Sequence, residues 1–349
     1  MAATPREIVR QCLAFEHPER LPRELWALPW AEEHLGEALR ELRERYPADV
    51  GFPPLVYAPS SRQSGEQHAV GTYVDEWGCV FTNLQRGVIG EVRDPILKDL
   101  DAWQDVVRPP VETLPADPDA ARDAVNRACA ESDLYMRGGC CPRPWERYQF
   151  LRGTEEAMVD VMMPEEGMAD VLAAIHAFYL RELEFWVTTD VDSVCFMDDW
   201  GSQTQLLIPP TSWRELFKPL YRDYCELAHA HGKAIFMHSD GHISEVYEDL
   251  VEVGVDALNS QLFCMDMDEL ARKAKGKLTF WGEIDRQHVL PAADPQVGRD
   301  AVRKVAQHLY DPAGGIIAQF ELSPGSNPDV ALAIFDEWDR VHAEARSAS

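Results

Sequence analysis

The sequence predicts an α/β protein whose 349 residues form a single (β/α)8 TIM barrel, with an N-terminal extension and hairpin covering the barrel mouth. Over the last two-thirds of the chain, short apolar runs alternate with amphipathic stretches, a pattern typical of parallel strands covered by helices. Five of these runs are followed directly by polar or acidic residues. In a barrel, such strand ends meet at the rim that holds the active site. A doubly wound open sheet is the alternative, but no glycine-rich phosphate loop follows the first strand candidate.

Six apolar runs are the predicted strands of the barrel, at residues 134–138, 193–198, 234–238, 256–260, 278–285 and 314–321. The clearest helix between them covers 212–231, where apolar residues recur at three- and four-residue steps. Ser212 and Glu215 have the spacing of a capping box, and Pro219 predicts a kink or a helix boundary. Gly232 follows at the position where a left-handed residue ends many helices.

The first 130 residues have a different pattern. A helix is predicted from Pro5, with Thr4 as its N-cap. Residues 71–92 alternate apolar and polar positions with glycine punctuation, which predicts a hairpin, and residues 108–120 form a proline-rich connector. We therefore predict one domain over residues 1–349, in which 1–130 form the helix, hairpin and connector and 131–345 form the regular β/α units.

The charge of the chain excludes two classes of partner. With 60 acidic and 33 basic residues the net charge is −27, and no basic stripe is present, so neither nucleic acid nor an anionic membrane surface is expected to bind. No apolar run is long enough to cross a membrane, and the N-terminus carries charges where a signal peptide needs an apolar run. We therefore predict a cytoplasmic protein. Its eight cysteines contain no CxxC pair and are expected to be reduced.

The segment AIFMHSDGHI, residues 234–243, ends a buried strand in His238 and Asp240. Extended geometry places these two side chains on the same side of the chain. A histidine and a carboxylate at this position can donate two ligands to a divalent metal. In the alternative interpretation, Asp240 caps the helix that follows and His238 forms a hydrogen bond within the rim.

The other strand ends supply further candidate groups. Asp198 and Asp199 end the strand at 193–198, and because adjacent carboxylates repel, one of them can keep a proton and act as an acid. Glu283 and Glu321 lie at the ends of two later strands and are candidate metal ligands beside His238. The residues predicted to contact a substrate are Arg137, Trp200, Gln203, Asn259, Gln261 and Trp281.

Residues 198–261, which begin DDWGSQTQLLIPP and contain FMHSDGHISEVYEDL, resemble the uroporphyrinogen decarboxylase superfamily. The segments TPREIVRQCLAFEHPERLP, DEWGCVFTN and FWGEIDRQHVLP are also similar to it, and the resemblance extends over essentially the whole chain. It indicates a bacterial branch related to the zinc- and cobalamin-dependent methyltransferases, and it implies a barrel with its active site at the C-terminal strand ends. The arginine-rich signature of the decarboxylases is reduced here to Arg20 and Arg23, which argues against a multiply carboxylated tetrapyrrole as substrate.

The resemblance implies two chemistries. The methyltransferases transfer methyl groups from a methyl-corrinoid protein to a thiol or related acceptor, at a zinc ion held by His-x-Cys and a later cysteine. This chain keeps His238, has Asp240 in place of the first cysteine and has Phe320 near the position of the second. We therefore expect one divalent metal, most simply zinc, on oxygen-rich ligands, with a corrinoid protein and a second copy of the chain as partners. The alternatives are a cofactor-free decarboxylase of a small aromatic or heterocyclic acid, with Asp198 or Asp199 as the acid, and a barrel that only binds a ligand.

Overall fold

Local sequence signals determine where the first helix begins in the computed structural model, which describes residues 2–348. The Thr4 side chain accepts a hydrogen bond from the Glu7 backbone N–H (3.2 Å), and the Glu7 carboxylate accepts one from the Thr4 N–H (2.8 Å). Pro5 lies in the first turn, where its missing N–H leaves no helical hydrogen bond unmade. The predicted start and N-cap of this helix are therefore confirmed.

The described residues form eleven strands and fourteen α-helices. The strands are β1 (Arg23–Ala27), β2 (Val50–Gly51), β3 (Gly71–Val74), β4 (Val80–Asn83), β5 (Glu91–Val92), β6 (Tyr135–Met136), β7 (Ser193–Met197), β8 (Ala234–Ser239), β9 (Ala257–Ser260), β10 (Thr279–Trp281) and β11 (Ile316–Leu322). The helices are α1 (Pro5–Leu13), α2 (Pro29–His34), α3 (Gly36–Arg45), α4 (Trp103–Val106), α5 (Pro118–Ala130), α6 (Pro144–Arg152), α7 (Thr154–Met162), α8 (Glu166–Val187), α9 (Pro210–Leu216), α10 (Lys218–Ala230), α11 (Tyr247–Val253), α12 (Met267–Ala274), α13 (Pro295–Leu309) and α14 (Pro328–Ala348). Short 3-10 turns cover Leu100–Ala102, Val111–Thr113, Ser244–Val246 and Leu262–Cys264.

Six strands form one continuous parallel sheet in the order β1-β11-β10-β9-β8-β7. A second parallel pair, β2-β6, lies beside both ends of this sheet. The Asp49 N–H donates to the Arg23 carbonyl (2.9 Å) on the β1 side, and the Gly138 N–H donates to the Ser193 carbonyl (2.8 Å) on the β7 side. The α/β class and the parallel sheet are confirmed, and continuous pairing extends over six strands rather than eight.

Side chains on the two faces of the strands enter two separate apolar clusters. The larger cluster fills the space between the sheet and the helices. The smaller one takes one side chain from each of seven parallel strands and two from α1; its members are Val9, Cys12, Val50, Tyr135, Cys195, Phe236, Ala257, Trp281 and Ile317. Burial on both faces explains why these strands appear in the sequence as uninterrupted apolar runs.

Two predictions about the chain are corrected by the structure. The helix predicted over 212–231 is two helices, α9 and α10, with the helix boundary that Pro219 predicted, which is confirmed. Helix α9 begins earlier, after Pro209, and within residues 2–348 it has no side-chain cap, so the predicted capping box of Ser212 and Glu215 is wrong. The N-terminal segment also contributes β1 and β2, which were not predicted; they are short and lack an apolar run.

The predicted hairpin over 71–92 is confirmed as an antiparallel sheet, in which β3 pairs with β4 and β4 with β5. Ile89, in the loop between β4 and β5, lines an open cavity together with Asp240 and Arg286 at the ends of the parallel strands. Among the helices described, none combines the length and the apolar character required to traverse a bilayer.

Candidate functional site

His238 is held in one orientation by the neighbouring strand. It lies near the end of β8, is buried, and pairs in register with Asn259 of β9. The Asn259 side-chain amide donates to the Trp281 carbonyl (2.5 Å) and to Gln319 Oε1 (2.9 Å), so its oxygen must face the histidine. His238 Nδ1 lies 2.6 Å from that oxygen and donates to it. The lone pair of the neutral imidazole is therefore on Nε2.

Two carboxylates face this nitrogen. His238 Nε2 lies 3.6 Å from Asp199 Oδ1 and 3.6 Å from Asp240 Oδ1. The Asp240 backbone N–H donates to Asp199 Oδ1 (2.9 Å), which fixes the position of that oxygen. Asp240 Oδ1 is buried and has no hydrogen-bond partner among residues 2–348. Burial alone would lower the pKa of His238, but the charges of Asp199 and Asp240 raise it above its ordinary value.

The three atoms fit a divalent metal ion. All of them lie within 4.8 Å of one another. Tetrahedral zinc with ligand distances of about 2.1 Å separates its ligands by about 3.4 Å, close to the two 3.6 Å separations in this cluster. Three protein ligands and one open position are typical of catalytic rather than structural zinc. The Oδ1 atom of Asp240, which has no hydrogen-bond partner in the described chain, is available as a ligand for such an ion.

Arg286 connects Asp240 to two further acids. It donates to Asp240 Oδ2 and to Glu321 Oε1 (3.0 Å), and its Nη1 lies 3.7 Å from Glu283 Oε1. Burial raises the pKa of Glu283 to about 8, so this group is protonated at neutral pH. Glu283 and Glu321, predicted as metal ligands, thus lie around Arg286, whereas Asp199, predicted as a catalytic acid, completes the group that faces His238.

Asp198 lies outside this cluster. It is fully buried and accepts hydrogen bonds from the backbone N–H groups of Trp145 (3.0 Å) and Glu146 (2.8 Å) and from the Tyr221 hydroxyl (2.6 Å). Its carboxylate therefore serves the first turn of α6 and has no access to a substrate. The structure does not support the predicted catalytic role of Asp198.

The predicted substrate contacts differ in their surroundings. Trp200 is fully buried, stacks on Trp145 with 5.1 Å between ring centroids and donates to the Tyr221 hydroxyl (2.8 Å), so it is a core residue. Asn259 is also fully buried and acts through His238 rather than on a ligand. Gln203 and Gln261 line a cavity of about 220 Å³.

Arg137 and Trp281 share one buried acid. Arg137 donates to Glu24 Oε1 (2.9 Å) and the Trp281 indole N–H donates to Glu24 Oε2 (2.8 Å). The Arg137 guanidinium also lies 4.5 Å from the centre of the Trp281 ring. Both residues line a cavity of about 380 Å³ with His238. The charge of Arg137 is already balanced, so it is not a free anchor for a substrate carboxylate.

Two residues of the site, Arg286 and Cys141, were not predicted. Arg286 was visible only as a basic residue three positions after Glu283. Cys141 lines the cavity that contains His238, and a hydrogen bond from Cys195, helped by the positive charge of Arg143, lowers the pKa of Cys141 to about 6. The adjacent pair Cys140-Cys141 was the only sequence signal for this thiol.

Residues 80–340 match the family model described as uroporphyrinogen decarboxylase (URO-D). The chain belongs to the uroporphyrinogen decarboxylase family. Among solved structures, this family member is similar to a methyltransferase from Methanosarcina mazei, with a TM-score of 0.68 and 14% identity over 97% of this chain and 99% of that one. A chitinase from Chromobacterium violaceum is a more distant match, with a TM-score of 0.44 and 9% identity over 91% and 98% of the two chains. No curated protein matches the chain by sequence.

The predicted resemblance is thus confirmed, and the structure corrects one detail of it. Phe320 packs outward against Phe335 of α14, with 4.7 Å between ring centroids. Because side chains alternate along a strand, the neighbouring Glu321 faces the cavity that contains His238. In this URO-D family member the inward position at the end of β11 is therefore occupied by a carboxylate.

Proposed function

We propose that this chain is a metal-assisted methyltransferase or demethylase that acts on a small substrate, with Asp199, His238 and Asp240 as the metal ligands. The observation that carries the proposal is the convergence of two carboxylate oxygens on His238 Nε2, with one oxygen buried and unpartnered within the described chain. Three electron-rich atoms in this arrangement repel one another unless a cation or a proton lies between them.

The residues that hold His238 and Asp240 in place favour the cation. Metal-binding histidines usually donate their other ring N–H to an oxygen acceptor, which fixes the tautomer and the ring plane. Asn259 provides that acceptor, and its own amide is held by two further oxygens. Arg286 likewise holds the second oxygen of Asp240. Both outer partners leave the inward-facing atoms free for a metal ion.

The chain's own residues would control protons and access at such a centre. A divalent metal bound here would act as a Lewis acid and lower the pKa of a thiol or water that it binds. Glu283, protonated at neutral pH, holds a proton beside Arg286 and Asp240. The cavity of about 380 Å³ admits a small molecule to His238 past Cys141 and Trp281.

The proposal includes the closed architecture. Eight parallel strands form a complete barrel if β2 and β6 join the two ends of the six-stranded sheet, which the Asp49 and Gly138 backbone hydrogen bonds support. The cluster of inward side chains from seven of the strands supports it as well.

We infer one domain over 1–349 with the hairpin over the barrel mouth, located in the cytoplasm. A corrinoid protein as the methyl donor or acceptor, and a homodimer as the assembly, complete the proposal and rest on the resemblance in sequence alone.

Metal analysis tests the proposal directly. The protein is purified without added metal, incubated with zinc, dialysed and analysed by mass spectrometry, beside His238→Ala and Asp240→Ala. We expect close to one ion per chain in the wild type and loss in both variants. Glu321→Gln is the matched control: it neutralises a nearby carboxylate outside the ligand group and should keep the metal. Wild-type protein that takes up no zinc, and no iron, manganese or cobalt when incubated with each in the same way, would refute the proposal and redirect assays to decarboxylation.

A further inference from the structure

A second cavity adjoins the one that contains His238. It measures about 410 Å³, within the range of small-molecule sites. It lies between α6, α8 and the β3-β4 hairpin, and Gly139 and Cys141 line both cavities. The two cavities therefore meet at Gly139 and Cys141.

This cavity contains two guanidinium groups in different states. Arg147 is paired with Asp75 and lies 3.2 Å from Glu76, so two carboxylates already face its charge. Arg143 lies 3.9 Å from the Glu146 carboxylate, beyond hydrogen-bond distance, and donates to the Met197 sulfur (3.0 Å). Its side chain keeps 28% exposure. Arg143 is thus a cation that faces the cavity without a hydrogen-bonded carboxylate among the described residues.

Aromatic side chains form part of the remaining walls, beside the polar side chains of Gln63, Gln67 and Glu76. Trp77 and Phe178 meet edge to face with 5.3 Å between ring centroids, and Phe81 and Phe150 do so at 5.1 Å. All four line the cavity. Glu182 also lines it, and burial raises the pKa of this acid to about 8, so at neutral pH it is a neutral donor and does not compete for Arg143. A cation without a hydrogen-bonded carboxylate, beside a set of aromatic rings, suits a planar ligand with a single negative group.

We propose that this cavity is the substrate pocket and that it binds a small aromatic carboxylic acid, with the carboxylate on Arg143 and the ring among the aromatic side chains. The far end of the ring then points past Cys141 to the cavity of His238. The role as substrate pocket rests on the proposed function, because it names the substrate class of that site. Binding of the acid in the pocket does not require a metal.

Calorimetric titration of the full chain with benzoate tests the pocket. We expect binding to the wild type, loss of about tenfold or more in affinity in Arg143→Met, and an intermediate loss in Arg143→Lys, which keeps the charge without the fork of donors. Arg122→Met is the matched control, because it removes one arginine far from the cavity, and it should bind as the wild type does. Benzyl alcohol, which has no charge, should bind to the wild type more weakly than benzoate does. Its affinity should be the same for the wild type and for Arg143→Met.

Comparisons within the wild type keep the test independent of how any variant folds. Cyclohexanecarboxylate has the same charge without an aromatic ring and should bind more weakly than benzoate. Equal binding of the two acids would overturn the aromatic part of the inference, and undiminished benzoate binding to a folded Arg143→Met would overturn the assigned anchor. Benzoate should still bind to Asp240→Ala. A failed metal centre and a failed pocket are thereby distinguished, because only the second abolishes benzoate binding.

Discussion

Replacing Arg137 by methionine should lower the free energy of unfolding substantially, because Arg137 and Glu24 form a buried ion pair. Their side chains are 6% and 4% exposed, and Arg137 donates to Glu24 at 2.9 Å. Without the guanidinium, the Glu24 carboxylate keeps only the indole donors of Trp26 (3.0 Å) and Trp281 (2.8 Å). Removing one partner of a buried pair typically costs about 3–5 kcal/mol. We expect a loss of this size in the free energy of unfolding.

Urea unfolding, followed by circular dichroism and tryptophan fluorescence, measures this loss. The double variant Arg137→Met with Glu24→Leu removes both charges and should recover much of the stability, since buried pairs replaced by apolar groups are often nearly neutral. Arg40→Met is the matched control: Arg40 and Glu37 are 64% and 85% exposed, so their pair should contribute at most about 1 kcal/mol.

A small effect would refute this reasoning. If Arg137→Met lowers the unfolding free energy no more than Arg40→Met does, Glu24 does not depend on Arg137 for its burial. The guanidinium would then be free to hold a substrate carboxylate, as the sequence predicted, and the role given to Arg143 would need the same test at Arg137.

Three further results are expected. Asp199 and Asp240 outweigh burial and raise the pKa of His238, so the protonated histidine stabilises the metal-free protein below about pH 6.5. This contribution to stability is lost as the pH rises through the higher pKa of the folded state. Zinc uptake, measured against a chromophoric chelator, should therefore rise from pH 6 to pH 8 with release of a proton. Asn259→Leu removes the acceptor of His238 and should weaken zinc binding by about 10–100-fold, whereas Asn259→Asp should not. Asp198→Ala deprives two backbone N–H groups and one phenol of their acceptor, so it should cost about 3 kcal/mol in urea unfolding while metal content stays unchanged.

The strands and their rim could be predicted because burial on both faces leaves continuous apolar runs, and each run then ends in polar residues. His238 and Asp240 followed from that pattern alone. The pattern does not say which of two adjacent aspartates faces the cluster. That depends on the register of β7 against β8, where Met197 lies beside His238, and on the turn after it. Asp198 consequently faces α6, and Asp199 faces the histidine.

Other parts of the site could not be predicted because they depend on loops or on hidden partners. Arg286 lies beyond β10 in a segment without periodicity, so nothing in the sequence indicated that its side chain reaches back to Asp240. Arg137 was predicted to be free because Glu24 belongs to β1, a strand too short and polar to be recognised. Trp200 was predicted at the rim, yet the hydroxyl of Tyr221 gives its indole a buried acceptor, which makes burial in the core inexpensive.

The charges around His238 give an independent reason to expect a divalent ion. Asp199 and Asp240 face His238, and Asp240, Glu283 and Glu321 face one guanidinium, that of Arg286. Glu283 carries a proton at neutral pH, which leaves three carboxylates against one cation. Two negative charges are thus unbalanced in a partly buried site, where their repulsion is poorly screened. A proton on the histidine offsets one of them, and a divalent cation offsets both. If the proposed metal centre is present, its carboxylate ligands should favour a harder ion than thiolate ligands would.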